Sequence, residues 1–91
     1  MKCVVSVLGM DCKGIVAKVA TCLTDHDANI DDISQTRLGE IFSMTMLVTL
    51  NLDVEGGDFD SVQKGLAAVG EELGMQITIQ REDVFQFMFK I

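Results

Sequence analysis

The residues whose types and spacing suit chemistry fall in one stretch, Gly9-Met10-Asp11-Cys12-Lys13-Gly14-Ile15. A strand ahead of it and a helix behind it would bring free backbone amides, two glycines and a carboxylate to one point. Asp11 suits a helix N-cap, because its carboxylate accepts hydrogen bonds from the unpaired amides of a first turn. Gly14 lacks a side chain, so backbone or a small molecule can approach closely there. The chemistry of such a point is recognition of a small molecule. The same residues also serve a plain turn, with Gly9 ending the strand and Asp11 doing no more than cap.

Cys12 opens a second reading. Met10-Asp11-Cys12 matches the first half of the M-x-C-x-x-C loop of copper-carrying domains, but Ile15 stands where the second cysteine belongs. Cu(I) prefers soft thiolate ligands, and one thiol binds it weakly or by pairing across two molecules. A thiol beside a helix start is also a candidate for a lowered pKa. Cys3 and Cys22 fall on strand and helix faces, where cysteine packs as a small apolar residue. Catalysis finds no support. His26 is the only histidine, lies in an acidic turn as a solvated helix C-cap, and has no serine or cysteine placed as its partner. No catalytic residue, metal-ligand set or cofactor motif is assigned.

Composition narrows the partners. The chain has 91 residues, 48% of them hydrophobic, with 14 acidic against 7 basic side chains and a net charge of −7. One domain over 1–91 can bury roughly 60–70% of its unfolded surface, enough for a core without metal or disulfide staples. The acidic balance opposes nucleic-acid phosphates and anionic membranes, both of which need clustered Lys and Arg. No apolar run reaches membrane length, and the run at Val4-Val5 is too short for a signal peptide. Three cysteines without paired spacing fit reduced thiols and a cytoplasmic setting.

Several elements must hold the loop in place. Cys3, Val5 and Val7 alternate with Lys2, Val4 and Ser6 as a short buried strand. Ile15, Val16, Val19, Ala20 and Leu23 make one stripe of a helix ending near His26. Asn29–Leu38 is a polar edge strand, with a bulge near Asp31-Asp32 because Ile30 and Ile33 are three apart. Gly39-Glu40 turns into a strand with Phe42, Met44, Met46, Val48, Leu50 and Leu52 on its core face. The outer face carries Ser43, Thr45 and Thr49, without the aromatics an RNA-binding sheet displays. A second helix follows Asp58 or Asp60, with Phe59, Val62, Leu66, Val69 and Leu73 spaced 3, 4, 3 and 4. Its Gly65 and Gly70 suit close packing on the sheet. Met75, Ile77 and Ile79 form a last strand. Residues 80–91 make a short apolar helix holding Phe85, Phe87 and Phe89, with more apolar surface than one small domain covers, which predicts a homodimer contact. The order β-α-β-β-α-β is the ferredoxin-like α+β fold: a four-stranded antiparallel sheet in order 4-1-3-2 with two helices on one face.

On these residues a family resemblance rests. Gly9-Met10-Asp11-Cys12-Lys13-Gly14-Ile15-Val16 resembles the G-x-D-x-x-G-I-V start of ACT domains, with Lys13 where many members have proline. Asn29-Ile30-Asp31-Asp32-Ile33-Ser34-Gln35-Thr36 resembles their second strand, and the tail resembles that of small stand-alone ACT proteins. Leu38-Gly39-Glu40-Ile41-Phe42 is similar to the ACT halves of the glycine-cleavage-system transcriptional repressor. The resemblance implies a regulatory module, not an enzyme, that binds an amino acid or similar metabolite at a homodimer interface and signals to a regulated protein. It places Gly9, Asp11, Cys12, Gly14 and Ile15 on one wall of the site and Asn29, Asp31 and Ile33 on the facing strand. A dimerisation module without ligand is the alternative.

Overall fold

In the computed structural model, which describes residues 1–84, six elements follow in order: β1 (Lys2–Met10), α1 (Ile15–Asp25), β2 (Asn29–Leu38), β3 (Ile41–Thr49), α2 (Phe59–Leu73) and β4 (Gln76–Arg81). The strands form one antiparallel sheet in the order β2-β3-β1-β4, the expected ferredoxin-like arrangement. A short helical segment starts at Glu82–Val84. The expected tail contact through Phe85, Phe87 and Phe89 lies outside the described residues.

Period-two alternation decides which face of each strand is buried. Cys3, Val5 and Val7 of β1 and Phe42, Met44, Met46 and Val48 of β3 point to the helices, where Val19 and Leu23 of α1 and Val62 and Leu66 of α2 close over them. Every one of these side chains is buried, and among the described residues the core holds no polar or charged side chain. Leu52, expected to extend the core face, is 52% exposed, because β3 ends at Thr49 and the chain turns away after Leu50. β2 spans the predicted residues. Its bulge also falls where the spacing places it: the register with β3 shifts between Ile30 and Asp32, so Asp31 has no partner. Gly39 takes φ 62° at the first central position of the β2–β3 hairpin, where primed turns call for glycine.

Two glycines serve close approach of a kind the sequence does not display. A Cβ on Gly9 would stand 2.5 Å from Sδ of Met75, so Gly9 continues β1 beneath that side chain instead of ending the strand. A Cβ on Gly65 would stand 2.7 Å from Nε2 of His26 and 3.0 Å from Sγ of Cys22. Gly65 therefore seats α2 against α1 and not against the sheet. Gly70, by contrast, lies close to Ile77 of β4, as expected of a helix packed on the sheet.

Asp58 caps α2: Oδ1 accepts from the Ser61 hydroxyl at 2.7 Å and Oδ2 from the Ser61 amide at 3.2 Å. Those bonds, the hydroxyl first, hold the Asp58 carboxyl below its ordinary value. A carboxyl depressed in the folded state contributes stability that is complete above its unfolded pKa of about 3.9 and fades as pH falls through the folded value. Asp58→Asn keeps a competent cap but removes that titration. Urea melts from about pH 6 down to pH 2 should show a shallower acid-side loss for the variant than for the parent. Identical acid limbs would take Asp58 out of the account.

Candidate functional site

Where β1 gives way to α1, the chain crosses Asp11-Cys12-Lys13-Gly14 in the open. The Asp11 amide donates to the Glu40 carbonyl at 2.8 Å, which ties this loop to the β2–β3 hairpin. The Asp11 carboxylate does not cap the helix. Gly14 occupies the N-cap position at φ 81° and ψ 12°, and no side chain accepts from the first-turn amides. Asp11 instead pairs with Arg37 of β2, Oδ2 to Nη2 at 3.3 Å. The physical reason is where α1 starts: with Gly14 at the N-cap, Cys12 and Lys13 lie between the carboxylate and the first turn.

The result is a groove of about 500 Å³ between the start of α1 and the outer end of β2. That size falls in the range of small-molecule sites. Its walls include Asp11, Cys12, Lys13 and Gly14 from the loop, Ile15 from the first turn, and Gln35 and Arg37 from the strand. Phe42 lines it as well, as part of the core. Three features favour a negative group inside it: the uncapped helix amides, Lys13 and Arg37. One carboxylate, Asp11, stands beside them for a positive group. Nothing in this arrangement activates a nucleophile, since the groove holds no histidine and no second thiol.

Of the expected wall, the groove brings Asp11, Cys12, Gly14 and Ile15 together, while Gly9 lies further back in β1. The expected facing strand is not there within this chain. Asn29 and Asp31 stand at the other end of β2, where Thr49 Oγ1 donates to Asp31 Oδ2 and Asn29 Nδ2 donates to Asp31 Oδ1 at 2.6 Å. Those bonds, Thr49 first, lower the Asp31 pKa. From Asn29 to Arg37 is eight residues, about 26 Å at the rise of a strand. Ile33 lies between, opposite Met46 in the register and 40% exposed at the sheet edge. Gln35 and Arg37 are the residues sequence reasoning missed. A signal existed: counting by twos from Ile33 puts both on the helix side of an edge strand, where polar side chains make sense only beside an opening.

His26 is a C-cap by position, its amide donating to the Cys22 and Leu23 carbonyls at the end of α1, but its ring is only partly solvated. Its ring is half-buried, with Nδ1 2.7 Å from the Gly56 carbonyl, so the protonated Nδ1 donates and pins the loop before α2. Cys3 and Cys22 are buried, and burial pushes both thiols up from the ordinary value, away from reactivity. Cys12 is exposed. Among the described residues no group of three or more potential metal ligands occurs, and no helix is long and apolar enough to cross a membrane.

Comparison with known proteins gives this geometry a family. The ACT domain family matches residues 2–80. A UPF0237 protein of Methanocaldococcus jannaschii is 47% identical over 89 residues, covering 97% of this chain and 96% of the relative. The solved ACT domain protein from Streptococcus pneumoniae is 37% identical, covers 94% of each chain and superposes with a TM-score of 0.79. A putative glycine cleavage system transcriptional repressor shares the fold at a TM-score of 0.76, with 22% identity over 87% of this chain and 44% of its own. With nearly its whole length matched by family, relatives and structure, the chain belongs to the ACT domain family.

Proposed function

We propose that this protein is a cytoplasmic regulatory module, not an enzyme, that binds an amino acid or similar small metabolite at a homodimer interface. One observation carries the reading. The uncapped start of α1 faces the same groove as Lys13, Arg37 and Asp11, which supplies donors for a carboxylate and an acceptor for an ammonium group.

The exposed edge of β2 supports the dimer. Nine of its ten residues are exposed along an edge whose outer amides and carbonyls meet no further strand among the described residues. A second copy pairing there across a two-fold axis near Ser34 runs antiparallel, so residues equally far from Ser34 meet. Arg37 then stands opposite the partner's Asp31, and Gln35 opposite the partner's Ile33. Pairing in this register brings the partner's Ile33 beside Gln35 on the helix side, at the rim of the groove, while the partner's Asn29 and Asp31 stay with Thr49 on the outer face. The Asp11–Arg37 pair, already satisfied without a ligand, favours the second reading of a dimerisation module that binds nothing.

Thermal denaturation of the protein against the twenty amino acids and related metabolites tests the proposal. A ligand at a hundred times its Kd adds about 2.7 kcal/mol to stability. Arg37→Ala should weaken that ligand by about 10- to 100-fold, the worth of one charge-assisted hydrogen bond of about 1.5–3 kcal/mol. A flat panel from a protein that sediments as a dimer would instead establish the ligand-free module. A response to copper alone, lost in Cys12→Ser, would turn the reading to metal binding through Met10-Asp11-Cys12.

A further inference from the structure

On the sheet face turned away from the helices, Met10, Ile41 and Leu38 make one row across β1, β3 and β2. Leu8, Ser43 and Thr36 make the next, and the third row holds serine and threonine only. Leu8 is 48% exposed, Ile41 46%, Met10 59% and Leu38 77%, so four large apolar side chains stand together in the open. No charged side chain occupies these three rows, although 23% of the chain is charged and its net charge is −7. Asp32 and Glu40 border them along β2 and its hairpin. The helix layer has the opposite composition, with Asp25 at the end of α1 and Asp60, Glu71 and Glu72 on α2. An apolar patch rimmed by polar residues and free of charge has the make-up of an interface core.

The charge pattern decides the occupant. Two copies of a chain with net charge −7 repel wherever their acidic surfaces meet. Stacking sheet face against sheet face, about 10 Å apart, turns both helix layers outward and holds their carboxylates well separated. A charged partner finds no opposite charge within the three rows, whereas a neutral apolar patch complements itself, as a two-fold contact requires. We propose that these rows are a contact between two copies of this chain, stacked face to face across a two-fold axis. Four partly exposed apolar side chains from each copy make a small contact, so the association is weak and concentration-dependent. It uses neither the edge amides of β2 nor the groove, and it stands or falls independently of any ligand.

Sedimentation of the full chain from low to high micromolar concentration tests this. The expected result is a doubling of mass with concentration. Added salt should strengthen the association, because it screens the repulsion between copies and no ion pair is lost. Leu8→Lys combined with Leu38→Lys should hold the mass at half the parent's upper value. That variant also lowers the net negative charge, so general repulsion cannot cause the loss. Leu8→Met with Leu38→Met keeps the apolar surface and should associate as the parent does. Pairing through the β2 edge uses another surface, so the halving is expected with it, from tetramer to dimer, and without it, from dimer to monomer. A parent whose mass equals that of the lysine variant at every concentration would overturn the proposal. If the lysine variant fails to fold, methyl relaxation of the parent by a soluble paramagnetic agent decides. The Leu8 and Ile41 methyls should be shielded at high concentration and exposed on dilution, and equal exposure at both would overturn the contact.

Discussion

Met46→Asp is expected to abolish folding. Met46 is fully buried at the centre of β3, opposite Val5 on one side and Ile33 on the other. Two costs add at this site. Truncating a buried methionine forfeits about 2–5 kcal/mol of packing, and an unpaired carboxylate in an apolar interior costs several kcal/mol more before it protonates. The core offers no polar group to meet it. The sum matches or exceeds the whole stability of a small domain, about 5–15 kcal/mol. Thr45→Asp, one residue away, points to the open face beside Ser6 and Ser34 and should stay within about 0.5 kcal/mol of the parent. Urea melts followed by circular dichroism distinguish them: no cooperative transition for the first, a near-parental midpoint for the second. Equal behaviour would mean that the faces of β3 are assigned the wrong way round.

Gly14→Val carries the second large effect, on binding. At φ 81° the backbone is left-handed, a region that β-branched residues avoid at a cost of about 1–3 kcal/mol. A Cβ at this position meets nothing within 4 Å, so the substitution strains the turn without striking the protein. The fold should survive. The added side chain, however, projects from the groove wall beside the uncapped amides, where a ligand carboxylate is proposed to sit. Calorimetry with the ligand from the thermal panel should therefore show affinity lost, while the urea midpoint falls modestly. Gly14→Asn, which tolerates the left-handed turn, should recover most of the stability but not the binding. Retained affinity in folded Gly14→Val would remove this loop from the site.

Features written in neighbouring residues were legible before any coordinates. The span of β2, its bulge near Asp31-Asp32, the inward row from Phe42 to Leu50 and a cap at Asp58 or Asp60 each rest on a periodicity or a short-range hydrogen bond. Gln35 and Arg37 were legible in pattern but not in purpose, because an edge strand shows its alternation without showing what stands opposite.

The sequence by itself determined the order of elements, the face each one buries and the loop that carries the candidate site, since all three follow from side-chain period and local backbone preference. Only the tertiary structure decided the partners. Asp11 could serve the helix or Arg37, 26 positions on; α1 starts only after Gly14, and Asp11 pairs with Arg37. Gly9 beneath Met75 and Gly65 against His26 are likewise contacts between segments far apart in the chain. Such contacts depend on how sheet and helices stack. A glycine's neighbours exist only once those layers are in place.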